Sequence, residues 1–208
     1  MKLLSICVGT AQETSAKSGL TGHFKTPVPE VTITPEGLDG DTIVDRKHHG
    51  GIDQAVYLFG DADLRWWSET LGKELQPGFF GENLLISNLE TADLALGDIF
   101  NVGDVVLQLT SPRIPCATYA AHIDTPQAIK QFYAAARPGT YARVLKRGKV
   151  QVGDRVTHHA FAGPRITLAE NMASFLRKHD DDDFLRRALL VPAHHKLHEL
   201  AKQRLGAA

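Results

Sequence analysis

Cys116 closes the segment Ser111-Pro112-Arg113-Ile114-Pro115-Cys116, downstream of a glycine- and histidine-dense run from Gly37 to Tyr57. A thiolate is a soft ligand suited to molybdenum, zinc or copper, and the thiol must lose its proton to bind a metal. Pro112 and Pro115 fix φ and push the residues before them toward extended geometry, so the sulfur belongs to a stiff loop. Arg113, on the same loop, would lower the thiol pKa or grip an anionic group with its planar fork. The plain alternative is a buried cysteine that only packs, and Cys7, inside an apolar stretch, reads that way. Zinc is disfavoured, because no Cys-x-x-Cys or His-x-x-x-His arrangement stands near Cys116.

A second group of residues suits an anion or a heterocycle. His48-His49-Gly50-Gly51 sets two residues without side chains beside imidazoles, so backbone N–H groups can approach a phosphate. The same Gly-Gly pair is also an ordinary turn signal. Asp53, Gln54 and Asn83 carry the acceptor and amide groups that read a heterocycle's edge, although Asn83 serves equally well as a turn cap. Lys25 offers a point charge or, alternatively, a solvated surface lysine. Arg143 alternates with Tyr141, so in a strand the two share a face. His179, His194, His195 and His198 include an i, i+4 pair without visible further ligands and read as surface or interface residues.

The ordered motifs carry a family resemblance. Gly37-Leu38-Asp39-Gly40-Asp41, Asp45-Arg46, His49-Gly50-Gly51-Ile52-Asp53-Gln54-Ala55-Val56-Tyr57, Gly81-Glu82-Asn83-Leu84, Pro112-Arg113 and Pro115-Cys116 resemble those of the MOSC domain, the molybdenum-cofactor sulfurase C-terminal family. With its helical C-terminal part, the whole chain is similar to the YiiM-type branch. The resemblance implies a β-barrel and a molybdenum cofactor of the molybdopterin form, with Cys116 as metal ligand and catalytic thiolate. It also implies a cofactor wall of Lys25, His49, Gly50, Gly51, Asp53, Gln54, Asn83, Arg113 and Arg143. The implied reaction reduces a small N-hydroxylated substrate, a hydroxylaminopurine or an amidoxime, to the amine.

Electrons would come from a separate flavin-type reductase, since the chain has neither a Gly-x-Gly-x-x-Gly fingerprint nor a multi-cysteine iron-sulfur pattern. His49 or Asp53 would supply the proton that lets hydroxide leave. Two other functions remain open. One is a carrier of the cofactor or its sulfur that turns nothing over. The other is a cysteine hydrolase pairing Cys116 with His49, ranked last because no helix N-terminus is expected straight after Cys116.

These residues need elements to hold them. Leu3 to Val8, Val28 to Thr34, Ala55 to Phe59, Val105 to Thr110 and Val150 to Thr157 are short apolar, β-branched segments bounded by turn residues and read as strands. Gly40-Asp41, Gly97-Asp98, Gly103-Asp104 and Gly153-Asp154 read as turns feeding them. Asp61 to Leu71 has helical periodicity, and Thr125 to Ala136 begins with a capping Thr and a first-turn Pro126. Many strands with few helices argue for a closed or nearly closed β-barrel over residues 1–162. From 163 to 208 the pattern predicts a three-helix extension with stripes at Leu168, Met172, Phe175 and Leu176, at Phe184, Leu185, Ala188 and Leu189, and at Leu197, Leu200 and Ala201. Asp180 to Asp183 separates the first helix from the second, and Pro192 is expected to open the third.

A chain of 208 residues, 43% hydrophobic, can bury one full core plus an appendage. The appendage is too small to stand alone and should pack on the barrel or on a second copy in a homodimer. With 23 Lys+Arg against 24 Asp+Glu, no overall field attracts nucleic acid or an anionic membrane. No apolar run approaches the about 20 residues a membrane span needs, and two cysteines make no disulfide framework. A cytoplasmic setting is expected.

Overall fold

The computed structural model describes residues 1–16, 19–46, 49–125, 127–177 and 181–206. His48, Pro126, His179 and Asp180, each named above, lie outside them. The strands are β1 (Leu3–Gly9), β2 (Gln12–Glu13), β3 (Leu20–Thr21), β4 (Lys25–Val28), β5 (Glu30–Thr34), β6 (Gly37–Leu38), β7 (Val56–Gly60), β8 (Leu84–Ile86), β9 (Ile99–Val102), β10 (Val105–Pro112), β11 (Thr140–Lys146), β12 (Gly148–Gln151) and β13 (Val156–His159). The helices are α1 (Asp61–Leu71), α2 (Ala117–Ile123), α3 (Ala128–Ala135), α4 (Leu168–Ser174), α5 (Asp182–Ala188) and α6 (His195–Leu205).

Eight strands form one sheet in the order β13-β9-β10-β11-β7-β8-β1-β4, and all its pairings are antiparallel except β7 with β8. That parallel pair needs a crossover, and α1 lies on it. Val56 and Leu58 enter one apolar cluster, whereas Tyr57 and Phe59 enter another. Strand residues alternate faces, so β7 is buried on both sides, and Val56-Tyr57-Leu58-Phe59 therefore reads as an unbroken apolar run.

The expected closed barrel is not found among the described residues. β4 and β13 are the ends of the strand order, and the start of β1 meets the approach to β13 at one isolated bridge, Lys2 with Arg155. Three backbone hydrogen bonds tighten that seam: Leu3 to Asp154, Gly153 to Leu3, and Val156 to Met1. The sheet curls without a continuous closing ladder, and the fold is mixed α and β.

Two expected strands are each split in two. Proline cannot donate to a ladder, and the chain passes from β4 to β5 at Pro29. Gly153, with φ of 95°, turns the chain between β12 and β13. β2, β3, β6, β8, β9 and α2 go beyond the expectations, while α1 runs over the expected Asp61–Leu71. The N-cap of α3 is Gln127 rather than Thr125, whose hydroxyl is buried without a partner.

All three C-terminal helices are present. Asp181 caps α5 through the Phe184 N–H at 2.7 Å. The third begins at His195 behind a His194 cap, three residues beyond Pro192. Phe184, Leu185, Ala188, Leu197 and Ala201 join the same cluster as Leu3, Ile6, Val56 and Phe100. Phe175 and Leu176, expected in the apolar stripe, are instead 58% and 63% exposed.

Because that core is shared, Phe184→Ala should destabilise sheet and helices together by about 3–5 kcal/mol. Urea unfolding followed by tryptophan fluorescence and by far-UV circular dichroism should give coincident, shifted transitions. Non-coincident curves would contradict a common core.

Candidate functional site

The Cys116 cavity is assembled from segments far apart in sequence. Asp41 lies on the loop after β6 and is the hub of its floor. One carboxylate oxygen accepts the Gly9 N–H at 2.7 Å. The other accepts the Lys25 ammonium and, at 2.9 Å, the Asn83 side-chain amide. The Lys25 and Asp41 side chains are only 9% and 6% exposed, a depth at which a charge requires a partner. Lys25 is therefore committed to Asp41, neither a solvated lysine nor a free point charge. Burial lowers its pKa, against the pull of Asp41.

Asn83 is equally committed. Its Oδ1 accepts from the Tyr57 N–H at 3.0 Å, and its Nδ2 also donates to the Cys7 carbonyl at 3.2 Å. It bolts β7 to β1 just before β8 begins. The neighbouring loops close tightly. A Cβ on Gly22 would lie 1.9 Å from the Thr42 carbonyl, so only glycine lets these segments touch there.

Above this floor lies a cavity of about 240 Å³ lined by Lys25, Asp41, His49, Gly50, Gln54, Tyr57, Asn83, Arg113, Cys116 and Tyr141, among others. Cys116 is half-buried and is the N-cap of α2. A helix does therefore start directly after the thiol, contrary to expectation. Ala117-Thr118-Tyr119-Ala120-Ala121 contains no proline or glycine, and Ala is the best helix former. Burial raises the thiol pKa, but a hydrogen bond with the His49 side chain, the Arg113 charge and the Tyr119 amide outweigh it, setting the value at about 6. Cys7 is the opposite case: it is buried, and desolvation lifts its pKa to about 11.

Arg113 is buried with its charge between rings, 5.3 Å from the Tyr57 centroid and 5.9 Å from that of Tyr119. One guanidinium nitrogen donates to the Phe80 carbonyl at 2.7 Å, whereas its Nε has no partner. Nearby His23 is also buried with an unpartnered Nε2, and burial followed by the Arg113 and His122 charges lowers its pKa to about 2. Glu82, fully buried, accepts the Gly78 and Phe80 N–H groups at 2.6 and 3.0 Å, yet burial raises its pKa to about 7.

Seven of the ten anticipated site residues therefore line one cavity: Lys25, His49, Gly50, Gln54, Asn83, Arg113 and Cys116. Gly51, Asp53 and Arg143 do not. Gly51 is exposed, with φ of 81°, and a Cβ there would meet nothing within 4 Å. Asp53 pairs with Arg143 at 2.8 Å and accepts the backbone N–H and side-chain Nδ1 of His195, both at 2.9 Å. Burial opposes ionisation of Asp53, but these partners prevail and lower its pKa. Asp53, His194 and His195 thus gather where α6 meets the 52–54 turn, and His194 is buried rather than superficial. His198 is turned to the Val191 carbonyl instead. Arg143 shares its strand face with Tyr141, but Tyr141 reaches the cavity and Arg143 reaches the Ala193 carbonyl at 2.6 Å. Asp41, His23 and Tyr57 were not anticipated as site residues, although Asp41 and Tyr57 stood inside quoted motifs.

The MOSC domain family matches residues 45–157. An uncharacterized protein of Bacillus subtilis, YflK, is 32% identical over 154 residues, covering 73% of this chain and 70% of YflK. A Gibberella moniliformis protein named Reductase is 27% identical over 77% of this chain, and the match spans only 29% of that longer protein. The crystal structure of YiiM from Geobacillus stearothermophilus superposes with a TM-score of 0.80 at 25% identity, covering 98% of both chains. The chain belongs to the MOSC domain family. Within it the architecture is of the YiiM type.

The donor set suits a molybdenum cofactor: a soft thiolate at the cavity wall, with buried Arg113 and His23 nitrogens left without protein partners. Two outcomes are expected here. Lys25→Ala strands the Asp41 carboxylate and should cost about 3–5 kcal/mol in urea unfolding; a loss below about 1 kcal/mol would mean that the pair is not what holds the floor. In cofactor-free protein, alkylation of Cys116 by iodoacetamide should speed up as pH rises through about 6, and His49→Ala should move that midpoint upward.

Proposed function

We propose that this protein is a molybdenum-cofactor-dependent reductase of N-hydroxylated compounds, converting R–NH–OH with two electrons and two protons into R–NH2 and water. The observation that carries this reading is a Cys116 thiol held beside His49 and Arg113 in a cavity of a MOSC chain. The relative named Reductase supports the reaction class.

When bound, the cofactor would supply the two-electron redox chemistry. Cys116, whose pKa of about 6 favours the thiolate at neutral pH, would hold the metal through its sulfur. Arg113, with its Nε unpartnered, would donate to an anionic or carbonyl group of the cofactor. Gln54 presents an amide at the wall. His49 lines the cavity and is the residue placed to hold a proton for the departing hydroxide. The Asp41, Lys25 and Asn83 network positions these groups. Electrons come from a separate flavin-type reductase in a reducing, cytoplasmic setting. A MOSC unit of residues 1–162 carries the cofactor, and the helical extension 163–208 closes one side.

A second reading gains from one observation. α2 begins at Cys116 and His49 contacts its thiol, an arrangement that also fits a cysteine nucleophile. The two readings separate in one experiment. Protein from molybdate-fed cells, native and Cys116→Ser, is assayed for metal and pterin, then for reduction of 6-hydroxylaminopurine with a chemical electron donor. Native protein should carry molybdenum and turn over, and the variant should lose at least about 100-fold of the rate. Bound cofactor without turnover would favour a carrier. No molybdenum, combined with burst acylation of Cys116 by activated esters, would favour the hydrolase.

A further inference from the structure

A second cavity of about 500 Å³ opens beside the first, between the end of β10 and the C-terminal helices. The two share His49, Gln54 and Tyr141 as a common wall. Its volume falls in the range of small-molecule sites, about 300–1,000 Å³. Beyond that shared wall, none of its lining residues carries a catalytic or cofactor role assigned above.

Its chemistry is specific. Phe175, Leu197 and Leu200 supply an apolar side, and Lys196, Arg177 and Arg204 supply cations. Among the described residues lining it there is no carboxylate, so its field favours an anion and repels a cation. Two lining atoms also lack partners. Ser111 and Asn171 are 8% and 2% exposed, and Ser111 Oγ and Asn171 Oδ1 make no hydrogen bond. A buried polar atom left unpaired costs free energy, and a ligand N–H or O–H relieves it. Asn171 Oδ1 can only accept, so the ligand must bring a donor there.

We infer that this second cavity is the substrate half of the site and takes a flat N-hydroxylated heteroaromatic compound that carries an anionic group. This rests on the reductase reading for the identity of the reacting group. The anion, phosphate or carboxylate, sits on Lys196 and Arg177. The ring lies against Phe175, Leu197 and Leu200, with its N–H groups serving Asn171 and Ser111. The shared wall then turns the hydroxylated nitrogen toward His49 and Cys116. The two cavities divide the work: one holds the cofactor, the other measures the charge and flatness of the substrate.

The test reads binding of amine products, which do not turn over, to cofactor-loaded protein by calorimetry. The probes are adenosine, adenosine 5′-monophosphate and adenine-9-acetate. An anionic probe should bind at least about tenfold tighter than adenosine, as expected of a charge-assisted hydrogen bond. Which of the two anions gains more identifies the natural group. The double variant Lys196→Ala with Arg177→Ala should bind all three alike, and Lys196→Arg should retain the preference. Both substituted cations are exposed, so a folded variant is expected, to be checked by circular dichroism.

Equal affinity for adenosine and both anions would overturn the inference, as would a preference that survives the double variant. Binding of the monophosphate only to cofactor-free protein would assign the cavity to the cofactor and overturn it as well. Failure of the reductase reading appears elsewhere, as absent reduction of 6-hydroxylaminopurine by protein that still prefers the anionic probes.

Discussion

The buried carboxylate of Asp41 is the constraint on which the rest of the site depends. A charge this deep is tolerated only where every oxygen is engaged, and Asp41 satisfies that by drawing in Gly9 from β1, Lys25 from β4 and Asn83 from the edge of β8. Each partner is thereby fixed relative to the others. Asn83 extends the network to Tyr57 on β7, so four strands and one loop meet at a single polar knot. The knot lies beneath the cavity, and a shift of its members would move the walls that face Cys116.

Over this floor the protein sets opposite electrostatic demands side by side. Burial pushes Glu82 and His23 toward their uncharged forms, whereas Arg113 stays charged among aromatic rings and Cys116 is drawn toward the thiolate. The difference lies in the partners. Burial is the largest single influence on both thiols, but Cys116 has an imidazole, a cation and a backbone amide that together outweigh it, while Cys7 lacks such partners and moves the other way. Position within the fold sets the reactivity of these two thiols, and residue type does not.

Much of the framework was legible along the chain. The periodicity of Asp61 to Leu71, the apolar runs of β1 and β10, and the three C-terminal stripes are local patterns, and local propensity with burial was enough to produce them. Elements whose existence depends on partners were harder to read. β8 is three residues long and exists because β7 and β1 flank it. α2 follows a proline-rich stretch that suggests only loop. The barrel expectation failed to close because one bridge at Lys2 and Arg155 is a seam rather than a ladder.

The site divides along the same line. Residue type, together with the family resemblance carried by the motif order, was enough to group Cys116, Arg113, His49 and Gln54, because the chemistry of a soft ligand, a fork or an amide is intrinsic to the side chain. Tertiary structure alone decided that Lys25 is a structural partner, that Asp53 and Arg143 pair with each other beside α6, and that Asp41 anchors the floor. The physical reason is that a charged side chain shows its chemistry in sequence but takes its role from whichever opposite charge or N–H group the fold brings within hydrogen-bond distance. Those partners are 16, 90 and 32 residues away along the chain, far beyond the reach of any local pattern.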